Sequence, residues 1–403
     1  MKLHTGSLYW PTTLKQFPSY PKLEEPAECD VLVIGGGMSG AIMAYRLSEY
    51  NVNTILVEQN TVASGSSSAN TGLLQYANDK MLHSFTKKLG EETAVQFYKR
   101  CLKAIDDLEV TVRRLEYKCD FTRRKSLFYA SSRSDVKKLR KEFETLRKHH
   151  FPVSLLEPHE IRSIFPFEKD LAILSDLDAE VNPFKLTTAL VRQAHKNGVQ
   201  VYENTEVLGH DFSGTQGGNH TFRTPKGVIE AKHVIYCTGY ATAEFATIKK
   251  AVLNRTYAIV THPVKDLSAW HDRALIWETK QPYLYMRTTP DNRIIAGGLD
   301  EPVSEPAEEP GVLREKGDEL LELVRWHFPH ISNLAIAHEW SAAFGESKDG
   351  LPFIGKHPKH KNVYFLLGYG GNGTVYSALG ADIIKDLILY GFSHDSPYVE
   401  LGR

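Results

Sequence analysis

The stretch Asp30–Glu58, DVLVIGGGMSGAIMAYRLSEYNVNTILVE, decides the fold. DVLVI (30–34) is a continuous apolar run, the pattern of a strand buried on both faces. GGGMSG (35–40) is a glycine turn. AIMAYRLSEY (41–50) predicts a helix that sets the small Ala41 and Ala44 against a sheet, and Asn51 stops it. NTILVE (53–58) is a second apolar strand. Together they form one β-α-β unit of about 30 residues and imply a parallel sheet. Gly35, Gly37 and Gly40 satisfy G-x-G-x-x-G between strand and helix. Gly35 allows the tight turn, Gly37 lets a pyrophosphate approach the backbone, and Gly40 lets the helix sit close to the strand. The N–H groups at the helix start then face a diphosphate. Glu58 ends the second strand where a carboxylate can bond a ribose hydroxyl pair, and it disfavours a 2′-phosphate. The glycine motif alone is weak; with strand, helix, second strand and Glu58 in place it points to dinucleotide binding.

The rest of the chain bounds this reading. Its 403 residues are too many for one ordinary core and favour two or three domains at about 150 residues each. Hydrophobic residues at 42% and charged residues at 24% exclude disordered, collagen-like and coiled-coil classes. Lys+Arg total 48 against 49 Asp+Glu, so the basic excess of a nucleic-acid binder is missing. Cys29, Cys101, Cys119 and Cys237 form no CxxC pair, which argues against a disulfide framework and for free thiols in a reducing cytosol. The N-terminal segment has no apolar core of a signal peptide. The apolar stretch Val31–Tyr45 is too short for a membrane span. These features together read as cytoplasmic. The 17 histidines form no recognisable ligand spacing with carboxylates or cysteines, so no metal is expected.

Outside the first unit, residues 1–28 read as an extended arm, because Pro11, Pro18, Pro21 and Pro26 forbid a continuous helix. Tyr9 and Trp10 are expected to anchor it. TVASGSSSANTG (61–72) is a small, polar loop that lets backbone approach a ligand. Helical patterns cover about 80–117 and 134–149, with SLFYASS (126–132) as a strand between them. Pro183 opens a helix that Asn197-Gly198 closes before the strand VQVY. From about 246 to 344, TYAIVTHP, ALIWET, YLYMRTT and RIIAGG alternate with polar turns, as in an antiparallel sheet, and a helix interrupts them near 313–328. DGLPFIG (349–355), NVYFLLGYGGNGT and a closing helix return to the texture of the first unit.

Three features favour FAD over NAD as the dinucleotide. The first is the Ser-rich loop after Glu58. The second is the strand HVIYCTG with its Thr-Gly turn. The third is the pair DGLPFIG and GYGGNGT (368–374), where a glycine turn opening a helix would aim a positive helix end at a second anionic site.

At this point the sequence resembles the FAD-dependent amine and D-amino-acid oxidase superfamily, which contains glycine oxidase, sarcosine oxidase and γ-glutamylputrescine oxidase. The marks are IGGGMSG with Glu58, ASGSSSANTG, EVNPFKLTTALVRQAHKNGVQVYENTEV, VIYCTGY, DGLPFIG and GYGGNGT. The resemblance implies an α/β fold with an α+β second domain. A discontinuous Rossmann-like FAD-binding domain (29–78, 165–245 and 345–403) would be joined to an antiparallel-sheet substrate domain (79–164 and 246–344). It places Gly35, Gly37, Met38, Ser39 and Gly40 on the pyrophosphate, and Glu58 and Gln59 at the adenosine end. Ser64, Ser66, Asn70, Thr71 and Gly72 would line the pyrophosphate and isoalloxazine. Val207 would meet the adenine, and Thr238 and Gly239 would run along the cofactor. Gly371, Asn372, Gly373 and Thr374 would cover the pyrimidine edge of the flavin.

Departures from the family pattern matter as much. WSAAFGESKDG (340–350) holds no cysteine where some relatives attach FAD, so non-covalent FAD is expected. The same stretch lacks the Arg-Pro pair that clamps a substrate carboxylate in several amino-acid-specific members. RIIAGG is apolar at Ile294 and Ile295, where some oxidases carry an oxygen-activating lysine.

The resemblance implies oxidation of a C–N bond of an amine or amino acid by hydride transfer to flavin N5, giving an imine that hydrolyses. The protein's share is to orient substrate and exclude water. Strand alternation puts Tyr283, Tyr285 and Arg287 on one face as substrate-orienting candidates, with Tyr257 joining them; the bland alternative is a solvated face with Arg287 in a salt bridge. Trp340 reads as a core indole and Cys237 as a small buried hydrophobe. Three rivals stay open: a same-fold flavin dehydrogenase using a quinone or protein acceptor, a protein with a structural flavin, and an NAD(P) enzyme.

Overall fold

A computed structural model describes residues 1–211, 219–244, 251–397 and 399–401. Two sheets organise it. The smaller runs, in order, through Phe353–Lys356, Val363–Leu367, Val228–Tyr236, Ala27–Ile34, Thr54–Val57 and Gln200–Tyr202. The last five of these are mutually parallel, as the β-α-β reading requires. Val31, Leu32 and Val33 are fully buried, which explains the unbroken apolar run. Helix Met38–Ser48 packs on helices Pro183–Lys196 and Gly373–Leu389, so segments far apart in sequence close one layer over the sheet. The Pro183 helix starts as expected, with Asn182 accepting the Lys185 N–H at 3.0 Å as its cap.

Among the described residues the larger sheet has ten strands, ordered His4–Gly6, Ile336–Ser347, Ala251–Thr261, Ile294–Glu301, Tyr285–Thr288, Leu275–Glu278, Thr122–Tyr129, Ala172–Glu180 and Leu73–Leu74, with Val153–Leu156 also on Ala172–Glu180. It is antiparallel except between Leu275–Glu278 and Thr122–Tyr129. Helix Pro310–His327 packs on one side of it.

Several boundaries move. Strand Ala172–Glu180, expected in the FAD-binding domain, pairs with Thr122–Tyr129 in the larger sheet, and Leu73–Leu74 joins it there. The strand Ile336–Ser347 carries the larger sheet past 344. Ala172–Glu180 mixes buried and exposed positions, and its partners lie in distant segments that local sequence does not name. The expected boundary at 245/246 lies outside the described residues, as do residues 402–403 of the last expected segment. The helical pattern near 80–117 divides into Leu82–Leu89 and Glu91–Arg114 at Gly90, whose φ of 83° suits glycine. The arm does dock: His4–Gly6 pairs with Ile336–Ser347, and Ala27 and Glu28 belong to the first parallel strand. Trp10 is buried and its Nε1 donates to the Asn70 carbonyl at 2.6 Å, while the Tyr9 hydroxyl donates to Asp291 at 2.9 Å.

Candidate active site

The glycine turn is built as its spacing implies. Gly35 has a φ of 109°, and a Cβ there would lie 2.6 Å from the Cys237 carbonyl oxygen. A Cβ on Gly40 would overlap the Gly35 carbonyl, so only glycine lets helix Met38–Ser48 seat this close to the strand. Gly37 caps that helix and has no side chain to bond its first N–H groups; Ser67 Oγ accepts the Met38 N–H at 2.8 Å. Glu58 Oε2 accepts the Gly36 N–H at 2.7 Å and Oε1 accepts the Asn60 N–H at 2.8 Å. Burial raises the Glu58 pKa, against the pull of these backbone donors.

A cavity of about 830 Å³ extends from this turn. Gly35, Gly37, Met38 and Ser39 open it, and Glu58, Gln59 and Val207 line the same end. Ser64, Ser66, Asn70 and Thr71 form a wall, and Thr238 and Gly239 run beside it. Gly371, Asn372, Gly373 and Thr374 lie at the start of helix Gly373–Leu389. Tyr283 and Tyr285 close the chamber from the larger sheet. Residues chosen from both ends of the chain thus share one space.

Four expected residues do not line it. Gly40 lies beneath the turn, as its packing role requires. Gly72 sits behind the loop with a φ of 77°; its carbonyl accepts from Val181 N–H and from Arg287 Nη1. Tyr257 faces a different core, donating its hydroxyl to Glu301 at 2.7 Å. Arg287 is the largest correction. It is fully buried, with Nη1 donating to the Gly72 and Val181 carbonyls at 2.6 and 3.0 Å, Nε 3.7 Å from Glu180, and its guanidinium 5.4 Å from the Trp10 ring centre. Alternation named the face it occupies; the arm and the 70–72 loop cover that part of the face. Trp340 is a core indole, donating to the Ala69 carbonyl at 3.0 Å.

Sequence reasoning missed Asp79, Tyr240, Thr256, Trp277 and Asp300, all on the cavity wall. Asp79 fastens two segments: its Oδ1 accepts the Tyr283 hydroxyl and its Oδ2 the Gly371 N–H, both at 2.9 Å. Asp300 follows Gly298 and Leu299, which have φ values of 143° and 59°, and pairing with Ala251–Thr261 shifts register there. The Gly297-Gly298 pair inside a strand was the available signal, because such a bulge re-aims the next side chains. Burial lifts the Asp300 pKa to about 6, with Asp79 and Glu346 adding to it and the Thr256 hydroxyl opposing. Burial also raises Tyr283 and Tyr285, so both phenols stay protonated; Tyr283 spends its proton on Asp79.

The fit to FAD rests on these walls. Two glycine turns leave room for backbone approach, and Ser66 Oγ and Thr374 Oγ1 are buried on the cavity without a partner. Glu58 has lone pairs to spare for a ribose. No described Lys or Arg lines the cavity, so the diphosphate would be held by backbone N–H groups and hydroxyls.

Fold and cavity are those of a dinucleotide-binding protein whose cavity continues into a tyrosine-walled chamber against a second sheet. The chain belongs to the FAD dependent oxidoreductase family (DAO), whose profile matches residues 30–387. It is 27% identical over 382 residues to glycine oxidase of Bacillus subtilis, covering 89% of this chain and 93% of that one. It is 26% identical over 405 residues to γ-glutamylputrescine oxidoreductase of Escherichia coli, covering 96% and 90%. The solved structure of L-proline dehydrogenase from P. horikoshii shares the fold at a TM-score of 0.77 and 22% identity, covering 92% and 96%. The chain is thus an FAD-dependent enzyme of the amine and amino-acid oxidase and dehydrogenase group. No helix among the described residues is long and apolar enough to cross a membrane.

Proposed function

We propose that the chain oxidises a C–N bond of a small amine or amino acid, forming an imine that water hydrolyses. The observation that carries this is the single cavity joining the Gly35–Gly40 turn to the tyrosine-walled chamber. When bound, FAD supplies the two-electron acceptor for a hydride from the substrate's α-carbon. The residues of the chain position and enclose. Tyr285, kept protonated by burial, presents a hydrogen-bond donor rather than a base, while the Tyr283 proton is given to Asp79. Asp79 ties Tyr283 to the turn at Gly371, holding the substrate wall against the cofactor wall. The N-terminal end of helix Gly373–Leu389 favours negative charge at its mouth.

Three finer readings accompany this. FAD is held non-covalently, supported by the absence of cysteine from 340–350, and denaturation in acid should release it intact. The substrate domain is built on the larger sheet and the cofactor domain on the smaller. A cytoplasmic setting is supported by four free, buried cysteines, and cell fractionation tests it.

One observation favours a second reading of the acceptor. With no described Lys or Arg on the cavity, no lysine or arginine charge stands ready for the anion that oxygen becomes on its first reduction. A quinone or protein acceptor fits that wall better than oxygen. The test is an anaerobic screen of amines and amino acids, following bleaching of the flavin band, and then peroxide release against dye reduction. A flavin that stays yellow with every amine and amino acid would overturn the enzymatic reading.

A further inference from the structure

The substrate end of the cavity has a definite electrical character. Tyr240, Tyr283, Tyr285 and Trp277 give it aromatic walls, and Asp79 and Asp300 give it carboxylates. Trp277 and Tyr283 meet edge to face at 6.1 Å between ring centres, and Tyr283 and Tyr285 lie 5.8 Å apart. The two carboxylates differ. Asp79 already serves Tyr283 and Gly371. Asp300 interacts electrostatically with all three tyrosines, and its Oδ1 is buried with no hydrogen-bond partner. A buried carboxylate oxygen without a donor costs free energy until one is supplied, and the Thr256 hydroxyl is the one side-chain donor beside this carboxylate among the described residues. Aromatic faces beside a carboxylate are the surroundings an organic cation prefers. The one guanidinium that sequence alternation offered for a substrate carboxylate, Arg287, is outside the cavity.

We propose that Asp300, within the ring of Tyr240, Tyr283 and Tyr285, is a specificity-determining subsite for a cationic group of the substrate, so that the preferred substrates are amines carrying a second positively charged nitrogen and no free carboxylate at that end. The proposal rests on the reading of this cavity as the site of amine oxidation. The reacting amine must be neutral to give up hydride, so the anchored cation is a different nitrogen. An anionic end placed in the same chamber meets Asp79 and Asp300 with no described Lys or Arg to offset them.

The test uses the FAD-loaded enzyme under anaerobic conditions. Diamines, the monoamines of equal chain length and the matching ω-amino acids are compared by the rate constant for flavin bleaching over the dissociation constant. The diamine should lead the monoamine by about tenfold to a hundredfold, the range of a charge-assisted hydrogen bond, and the ω-amino acid should be poorest. Asp300→Asn should bring the ratio of diamine to monoamine close to one with FAD content retained. A measurement independent of any variant is perturbation of the flavin spectrum by tetramethylammonium and by acetate. The cation should bind and compete with the diamine, and the anion should not. Amino acids that bleach the flavin faster than diamines, or a diamine preference that survives Asp300→Asn, would overturn this inference alone. Failure of every amine and amino acid would overturn it together with the proposed function.

Discussion

Replacing Arg287 by Met separates a structural guanidinium from a substrate-binding one. Methionine keeps much of the side-chain volume and removes the charge. Glu180, itself fully buried, would lose the partner 3.7 Å away but keep Arg124, whose Nη2 donates to its Oε1 at 3.0 Å. The Gly72 carbonyl would keep the Val181 N–H at 2.9 Å, while the Val181 carbonyl would lose its Arg287 donor. Breaking a buried ion pair costs about 3–5 kcal/mol, and the retained Arg124 places this one near the lower end. An unfolding entropy of about 2 cal/mol/K per residue makes 3 kcal/mol a fall of roughly 4 °C in melting temperature. The loop 70–72 loses its clip and Trp10 its cation, so FAD affinity should fall by about tenfold, the equivalent of one hydrogen bond to a charged group. Thermal melting and FAD titration of the apoprotein read both effects. With FAD restored to saturation, substrate dissociation constants from anaerobic bleaching should stay within about threefold of the parent, well under the effect of losing a charged contact. Normal melting and full FAD content with substrate reduction lost would refute the reasoning and return Arg287 to the substrate.

Other perturbations read other parts of the molecule. Gly40→Ala puts a Cβ onto the Gly35 carbonyl oxygen, so helix Met38–Ser48 must back away, and FAD occupancy after purification should fall at least about tenfold. Glu58→Ala removes the acceptor of two backbone N–H groups and the carboxylate proposed for the ribose; the FAD dissociation constant should rise by about tenfold or more, measured by flavin fluorescence. Asp178 is fully buried, accepts the Tyr76 N–H at 3.0 Å, and is lifted by burial to about 8. The folded state then holds a proton that the unfolded chain has lost above about pH 4, so this group's share of stability falls as pH rises towards 8. Asp178→Asn should flatten that decline and melt higher than the parent at pH 9, and differential calorimetry at a series of pH values checks it. Asp300 has the same sign of shift, with Asp79, Glu346, Thr256 and the three tyrosines around it. Binding of tetramethylammonium, which does not titrate, should weaken as pH falls through about 6 and lose that dependence in Asp300→Asn.

What was legible in the sequence follows the range of each signal. Gly35, Gly37, Gly40 and Glu58 lie within one β-α-β unit, so spacing alone could propose their places, and the structure brings Gly35, Gly37 and Glu58 to the cavity with Gly40 beneath the turn. Gly371 to Thr374 were legible because a glycine turn before a helix is local too. Tyr285 and Arg287 show the limit of strand alternation: it names a face, but the cover on that face comes from Trp10 and Gly72, hundreds of residues away in sequence. Asp300 escaped because a bulge after Gly297 resets which way the strand's residues point. Asp79 escaped because its partners, Tyr283 and Gly371, come from two other segments. Strand Ala172–Glu180, AILSDLDAE, carries no unbroken apolar run or clean alternation, so its pairing with Thr122–Tyr129 was not readable from its own residues.

The central claim is that one FAD molecule spans the cavity, gripped by the turn at 35–40 and by the turn at 371–374. Amide hydrogen exchange of the apoprotein and of the FAD-loaded protein tests it most directly. Both turns, and the loop 64–71 on the same cavity, should gain protection together and with the same dependence on FAD concentration. Protection confined to residues 35–58, with 368–376 exchanging as in the apoprotein, would contradict it.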